Sequence, residues 1–134
     1  MYKRQLQDLV ALGSLTTQAA DFLHAAVASG LNILVSGATQ AGKTTMLNCL
    51  CAAIGPRERV VTVEEVFELR VALRDVVAMQ CRQANLEGTG EIPLRRLVKE
   101  ALRMRPDRLV VGEVREAESC LLYTSDAADD CCRV

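Results

Sequence analysis

An α/β fold with a parallel sheet flanked by helices is what this sequence predicts, on three observations. Short apolar runs at 32–36, 59–63, 76–80 and 108–112 are separated by stretches with helical periodicity, the alternation of parallel α/β sheets. The run 32–36 is apolar at nearly every position, as expected of a strand buried on both faces. Between that run and the next helical stretch lies a glycine-containing loop, Gly37-Ala38-Thr39-Gln40-Ala41-Gly42, which gives the order strand, loop, helix.

The elements follow in turn. Leu6, Leu9, Val10 and Leu12 recur at helical spacing and Gly13 ends them. Ser14-Leu15-Thr16-Thr17 offers N-cap hydroxyls. Ala19, Ala20, Phe22, Leu23, Ala26 and Val27 then build an amphipathic helix closed by Gly30. His24, the only histidine, sits on that helix as a surface or packing residue and is assigned no role. After the strand at 32–36, a helix runs from Lys43 to about Ala53 and stops before Gly55-Pro56. Arg59-Val60-Val61-Thr62-Val63 is a second strand, with Glu64-Glu65 at its C-terminal end. Residues 66–73 are mixed in pattern, and Val76-Val77-Ala78-Met79-Gln80 is a third strand. Residues 85–91, with Gly88 and Gly90, form a loop. Pro93 suits the first turn of a helix, lined on one face by Leu94, Leu97, Val98, Ala101 and Leu102. Arg103-Met104-Arg105-Pro106-Asp107 ends that helix, and Arg108-Leu109-Val110-Val111-Gly112 is a fourth strand tipped by Glu113.

Composition narrows the function. A chain of 134 residues is expected to form one domain. A formal net charge of −1 shows no basic excess for nucleic-acid binding, and 3% aromatics without Trp leave little for base stacking. No apolar run is long enough to span a membrane, and Met1-Tyr2-Lys3-Arg4-Gln5 does not open a signal peptide. A cytoplasmic location is therefore expected. Of the six cysteines, Cys49, Cys51 and Cys81 are expected to be small buried hydrophobes, and Cys120, Cys131 and Cys132 fall in the last stretch. No paired C-x-x-C spacing points to zinc.

The loop and the start of its helix, Gly37 to Thr44, fit the pattern G-x-x-x-x-G-K-[ST]. Such a phosphate-binding loop works because glycines let successive backbone N–H groups turn toward an anion, and the helix adds its own free N–H groups and dipole. Lys43 would reach the β- and γ-phosphates, and the Thr44 hydroxyl would sit on Mg²⁺. The alternative, a glycine turn without a ligand, has no need of Lys and Thr at those places. Two further strands end in carboxylates. Glu113 is the best candidate to orient an attacking water, with Glu64 and Glu65 secondary, acting on Mg²⁺ or its waters. Among many arginines, Arg82 and Arg115 are candidates to neutralise charge across a subunit boundary.

Together these motifs resemble the type II/type IV secretion and pilus-assembly ATPase family, most closely its tight-adherence (Flp pilus) branch. The residues carrying this are Leu31 to Gly37, Gly42-Lys43-Thr44-Thr45, Arg59-Val60-Val61-Thr62-Val63-Glu64 (the Asp box), Asn85-Leu86-Glu87-Gly88, Ala101 to Arg108, and Val111-Gly112-Glu113-Val114-Arg115 (an atypical Walker B with Gly before Glu). The resemblance covers about residues 6–116. It implies a RecA-like P-loop domain that binds ATP and Mg²⁺. The nucleotide would be held by Gly37, Ala38, Thr39, Gln40, Ala41, Gly42, Lys43, Thr44 and Thr45. Catalysis would rest on Glu113, Lys43 and Glu64, and Mg²⁺ on Thr44 and Glu65. It further implies a homohexamer, peripheral on the cytoplasmic face of the inner membrane, working with a pilus or secretion platform protein and without nucleic acid.

The chain also departs from that family. Ala38, Gln40 and Ala41 replace Gly, Gly and Ser of its usual loop, and Glu65 stands where Asp is usual. A positive φ at Gln40 would cost about a kcal/mol or more. The family's preceding domain and its later helix, glycine-rich turn and His box are not found, and residues 120–130 read as a translated sequencing-library adapter. Residues 1–119 are thus expected to be a partial RecA-like ATPase domain and 120–134 a non-native tail. A chain so cut is expected to bind nucleotide weakly and turn it over poorly. A nucleic-acid-handling RecA-like ATPase or translocase remains an alternative, as does a fragment without activity.

Overall fold

The computed structural model describes residues 5–114. The chain divides into two compact units. One holds the chain up to Pro56 together with Leu69–Ala72; the other holds Arg57–Glu68 and the chain from Leu73 onward.

The first unit contains α1 (Leu6–Ala11), α2 (Thr17–Ala28) and α3 (Lys43–Ala52), which pack on one another. Of the hydroxyls the sequence offers before α2, Thr16 provides the cap, and α1 has a cap of its own. Thr16 caps α2 by accepting from the Ala19 N–H at 3.1 Å, and Asp8 Oδ2 accepts from the Gln5 N–H at 2.7 Å to start α1. Gly13 and Gly30 take φ of +72° and +73° just beyond α1 and α2, the left-handed turn that ends a helix without a Cβ clash. Leu6, Leu9, Ala20, Ala26, Val27, Cys49, Leu50 and Cys51 are buried. Phe22 is not: it is 70% exposed, although Ala26, one helical turn on, is buried.

The predicted strand at 32–36 does not form. Residues 31–37 carry no strand hydrogen bonding, and Leu34 is 81% exposed. Apolar patterning specifies side chains, whereas a strand exists only through a ladder with a neighbour. Among the described residues no strand pairs with this run.

Among its described residues the second unit is a three-stranded parallel sheet with a helix on it. Its strands are β1 (Arg59–Glu64), β2 (Asp75–Gln80) and β3 (Arg108–Val111), in the order β2-β1-β3. The register places Val63 opposite both Met79 and Val111. These are the second, third and fourth predicted strands. As the central strand, β1 is buried from Val60 to Glu64, while the edge strand β2 alternates between half-buried and exposed.

Helix α4 (Leu94–Arg103) crosses from β2 to β3. Its Leu94, Leu97, Val98 and Ala101, at i, i+3, i+4 and i+7, form one cluster with Val61, Val63 and Leu109. Burying each of the larger side chains stabilises the unit by on the order of 1.5–3 kcal/mol.

One arginine ties the N-terminal ends of the sheet. Arg59 Nη1 donates to both carboxylate oxygens of Asp75 at 2.9 and 3.1 Å, and its Nε donates to the Met104 carbonyl at 3.1 Å. The Arg59 backbone exchanges two further bonds with Asp107. Arg108 pairs with Glu58 beside it.

Candidate functional site

The glycine loop opens α3. Gly42 is the N-cap, with φ +89° and no side-chain hydrogen bond capping the first turn, and the N-terminal turn of a helix is the end that attracts anions. At Gly37 an added Cβ would come 3.3 Å from the Ala41 Cβ, which shows how tightly the loop curls. The Ala41 N–H donates to the Ala38 carbonyl at 3.1 Å, closing a turn with Gln40 inside it. Gln40 has φ +62°. The strained conformation expected from glycine's replacement is therefore present, and the loop keeps its left-handed turn at an energetic cost.

Lys43 folds back over this loop. Its Nζ donates to the Gly37 carbonyl at 2.9 Å and to the Ala38 carbonyl at 2.8 Å. The cation thus stands among the loop's own oxygens. Thr44 and Thr45 follow in the first turn of α3, both half-buried, while Ala38, Thr39, Gln40 and Ala41 are exposed. Exposed backbone, uncapped helix N–H groups and a lysine together form a donor set suited to a polyphosphate, and the Thr44 hydroxyl is of the type that binds Mg²⁺.

In the second unit the sheet brings Glu64 and Glu113 to one edge. Glu64 ends β1 and is 2% exposed. Its Oε1 accepts from the Glu68 N–H at 2.9 Å. Glu113 is half-buried and lies just past β3. Between them, Gly112 donates to the Val63 carbonyl at 2.8 Å, continuing the β1–β3 ladder to the carboxylates. A Cβ at Gly112 would stand 2.9 Å from Glu64 Cγ. The Gly before Glu113 is thus a packing requirement of Glu64. Glu65 is exposed.

Arg82 sits at the base of the 85–91 loop, bridged antiparallel to Ile92. The loop is closed by Asn85, whose Oδ1 accepts from the Thr89 N–H and hydroxyl at 2.8 and 3.0 Å. The Arg82 guanidinium lies against Gly90, where any Cβ would overlap it. Arg115 and the 120–134 stretch lie outside the described residues. Cys49 and Cys51 are buried as expected, but Cys81 is only half-buried. His24 is exposed and, with Gln5, Gln7 and Cys49, lines a cavity of about 310 Å³.

The sequence reading missed Asn48. On α3 it donates through Nδ2 to the Thr44 carbonyl at 3.0 Å and accepts from the Arg70 N–H at 2.8 Å. No spacing rule marks such a residue, because its partner is backbone 22 positions away. An Asn in a helix interior, where its propensity is poor, is the one available hint.

Residues 1–128 match the family described as Type II/IV secretion system protein. The chain belongs to that family. A putative conjugal transfer protein of Mycobacterium tuberculosis is 49% identical over 115 residues, covering 84% of this chain and 33% of the relative. VirB11 of Rhizobium radiobacter is 42% identical over 105 residues, covering 78% and 30%. The VirB11 ATPase from the Brucella suis type IV secretion system, solved in complex with sulphate, superposes with a TM-score of 0.70 at 26% identity, over 92% of this chain and 34% of that one. The chain spans about a third of the length of these relatives. The likeness agrees with a RecA-like P-loop fold for this secretion-system family member. No helix among its described residues is long and apolar enough to cross a membrane.

Proposed function

We propose that this chain is the nucleotide-binding core of an ATP-driven secretion or pilus-assembly motor. The observation that carries the reading is the curled loop with Lys43 Nζ at 2.9 and 2.8 Å from its carbonyls, at the uncapped start of α3. A loop so built binds the phosphates of ATP through Gly37 to Thr45, with Thr44 on Mg²⁺ and Glu65 near its waters. Bound Mg²⁺ supplies charge neutralisation on the phosphates. Glu113 orients the attacking water, and Glu64, held by the Glu68 N–H, supports the same carboxylate edge. Arg82 and Arg115 are the candidates to act in trans within a homohexamer. The Asn85-Leu86-Glu87-Gly88 and Met104-Arg105-Pro106-Asp107 motifs support the tight-adherence branch. The motor works at the cytoplasmic face of the inner membrane, against a platform protein.

The test is binding of a fluorescent ATP analogue with Mg²⁺ to the 134-residue chain, followed by phosphate release. Saturable binding that Lys43→Ala removes, and any turnover that Glu113→Gln abolishes, support the reading. Equal binding by the wild type and Lys43→Ala overturns it. Turnover stimulated by DNA rather than by membranes would instead favour a nucleic-acid translocase.

A further inference from the structure

Residues 65–72 have no regular secondary structure, yet two side chains grip them by backbone N–H groups. Glu64 Oε1 holds the Glu68 N–H at 2.9 Å. Asn48 Oδ1 holds the Arg70 N–H at 2.8 Å. The two gripped amides are two residues apart, and the chain passes from one compact unit to the other between them, since Glu68 belongs to the second and Leu69–Ala72 to the first. The other end of the Asn48 amide donates to the Thr44 carbonyl at 3.0 Å, one helical turn earlier and next to Lys43. Donor and acceptor belong to one rigid planar group, so neither bond adjusts without the other. Among side chains of this length only Asn offers both: Asp has no donor and Leu has neither.

We propose that Asn48 is a positioning residue that couples occupancy of the glycine loop to the strap at residues 65–72, and through it to the Glu64 carboxylate. This rests on the nucleotide reading above. A ligand that orders Thr44 orders the Asn48 amide, which tightens its hold on the Arg70 N–H. The chain itself carries that constraint two residues back to Glu68 and the carboxylate that accepts from it. Glu64 thereby senses the phosphate loop through two side-chain-to-backbone bonds and one short peptide segment.

The experiment is residue-resolved amide hydrogen exchange by NMR on the 134-residue chain, with and without Mg²⁺ and adenylyl imidodiphosphate. Binding is measured in parallel. In the nucleotide-free protein, Asn48→Ala is expected to speed exchange at Arg70 about five-fold, the loss of one ordinary hydrogen bond. Unchanged Val60 and Val61 amides report that the sheet is intact. In the wild type, nucleotide slows exchange at both Arg70 and Glu68. Asn48→Asp keeps the acceptor for Arg70 but loses the donor to Thr44, so Arg70 stays protected and no longer responds to nucleotide.

Unchanged Arg70 exchange in Asn48→Ala overturns the grip. Nucleotide that binds the wild type without altering Arg70 or Glu68, or a response that survives in Asn48→Asp, overturns the coupling. Should the wild type bind no nucleotide, the proposed function and the coupling fall together, while the nucleotide-free arm still decides the grip.

Discussion

Gly112 and Glu64 compete for one space at the end of the sheet: a Cβ on the glycine would lie 2.9 Å from Glu64 Cγ and 3.4 Å from its Cβ. The obstacle sits near the root of the side chain, so Glu64 cannot yield by moving its tip alone. Gly112→Ala is expected to destabilise the fold by about 1–3 kcal/mol, as overpacking does. It should also loosen the Glu64 bond to the Glu68 N–H. Urea unfolding measures the first effect and amide exchange at Glu68 the second. Adding Glu64→Ala removes the obstructing Cγ, so the double variant is expected to lose less stability than the two single variants summed.

Among the described residues, two non-glycine residues carry left-handed backbone, Gln40 at φ +62° and Arg105 at +52°. Each conformation costs roughly 1–2 kcal/mol for a residue with a Cβ, against a smaller entropic penalty for glycine in the unfolded chain. Gln40→Gly and Arg105→Gly are each expected to raise unfolding stability by about 0.5–1 kcal/mol. Gln40→Ile is expected to lower it, because a β-branched side chain tolerates that region worst. Chemical denaturation reads all three. A Gln40→Gly variant no more stable than the wild type would mean that the loop does not hold this turn in solution.

Much of the fold was written locally. Leu94, Leu97, Val98 and Ala101 announce α4 because helix burial repeats every three to four residues. The strands at 59, 76 and 108 are announced by valine-rich runs. The run 32–36 carries the same apolar signal and forms no strand, since pairing is a property of two segments and only one is written there. The glycine loop that opens α3 was legible because its glycines, Lys43 and Thr44 lie close in sequence. Gly112 was legible as a motif, but its reason, the Glu64 side chain, lies across a strand pair. Asn48 was not legible, since one side chain bonding a distant peptide leaves no periodic trace.

Arg59 joins three segments, and its contacts differ in worth. The ion pair with Asp75 is partly exposed, at 35% and 51%, so Asp75→Asn is expected to cost only about 0.5 kcal/mol and to lose that effect at high salt. The Nε bond to the Met104 carbonyl is part-buried and leaves an acceptor unmet when removed. Arg59→Ala is therefore expected to cost about 1.5–2.5 kcal/mol, largely independent of salt. Arg59→Lys should behave nearly as badly, because one ammonium cannot serve the carboxylate and the carbonyl together. Urea unfolding at low and high ionic strength separates these contributions. Equal salt dependence for Asp75→Asn and Arg59→Ala would contradict the division.

Lys43 is satisfied by two neutral carbonyls, Gly37 at 2.9 Å and Ala38 at 2.8 Å, in an exposed loop. Removing it there should matter little: Lys43→Met is expected to lower stability by less than about 1 kcal/mol. Nucleotide binding asks more of the same ammonium, because phosphate oxygens carry the opposite charge and add Coulomb attraction to each hydrogen bond. Lys43→Met is accordingly expected to weaken Mg²⁺–nucleotide binding about 100-fold, which corresponds to about 2.7 kcal/mol. Lys43→Arg keeps the charge, but its planar fork does not match two carbonyls on a tight curl, so it should recover only part of the affinity. Calorimetric titration of the three proteins, beside their unfolding curves, separates a residue that holds the loop from one that holds the ligand. A large loss of stability with unchanged affinity would make Lys43 a structural clasp and place the phosphate site elsewhere.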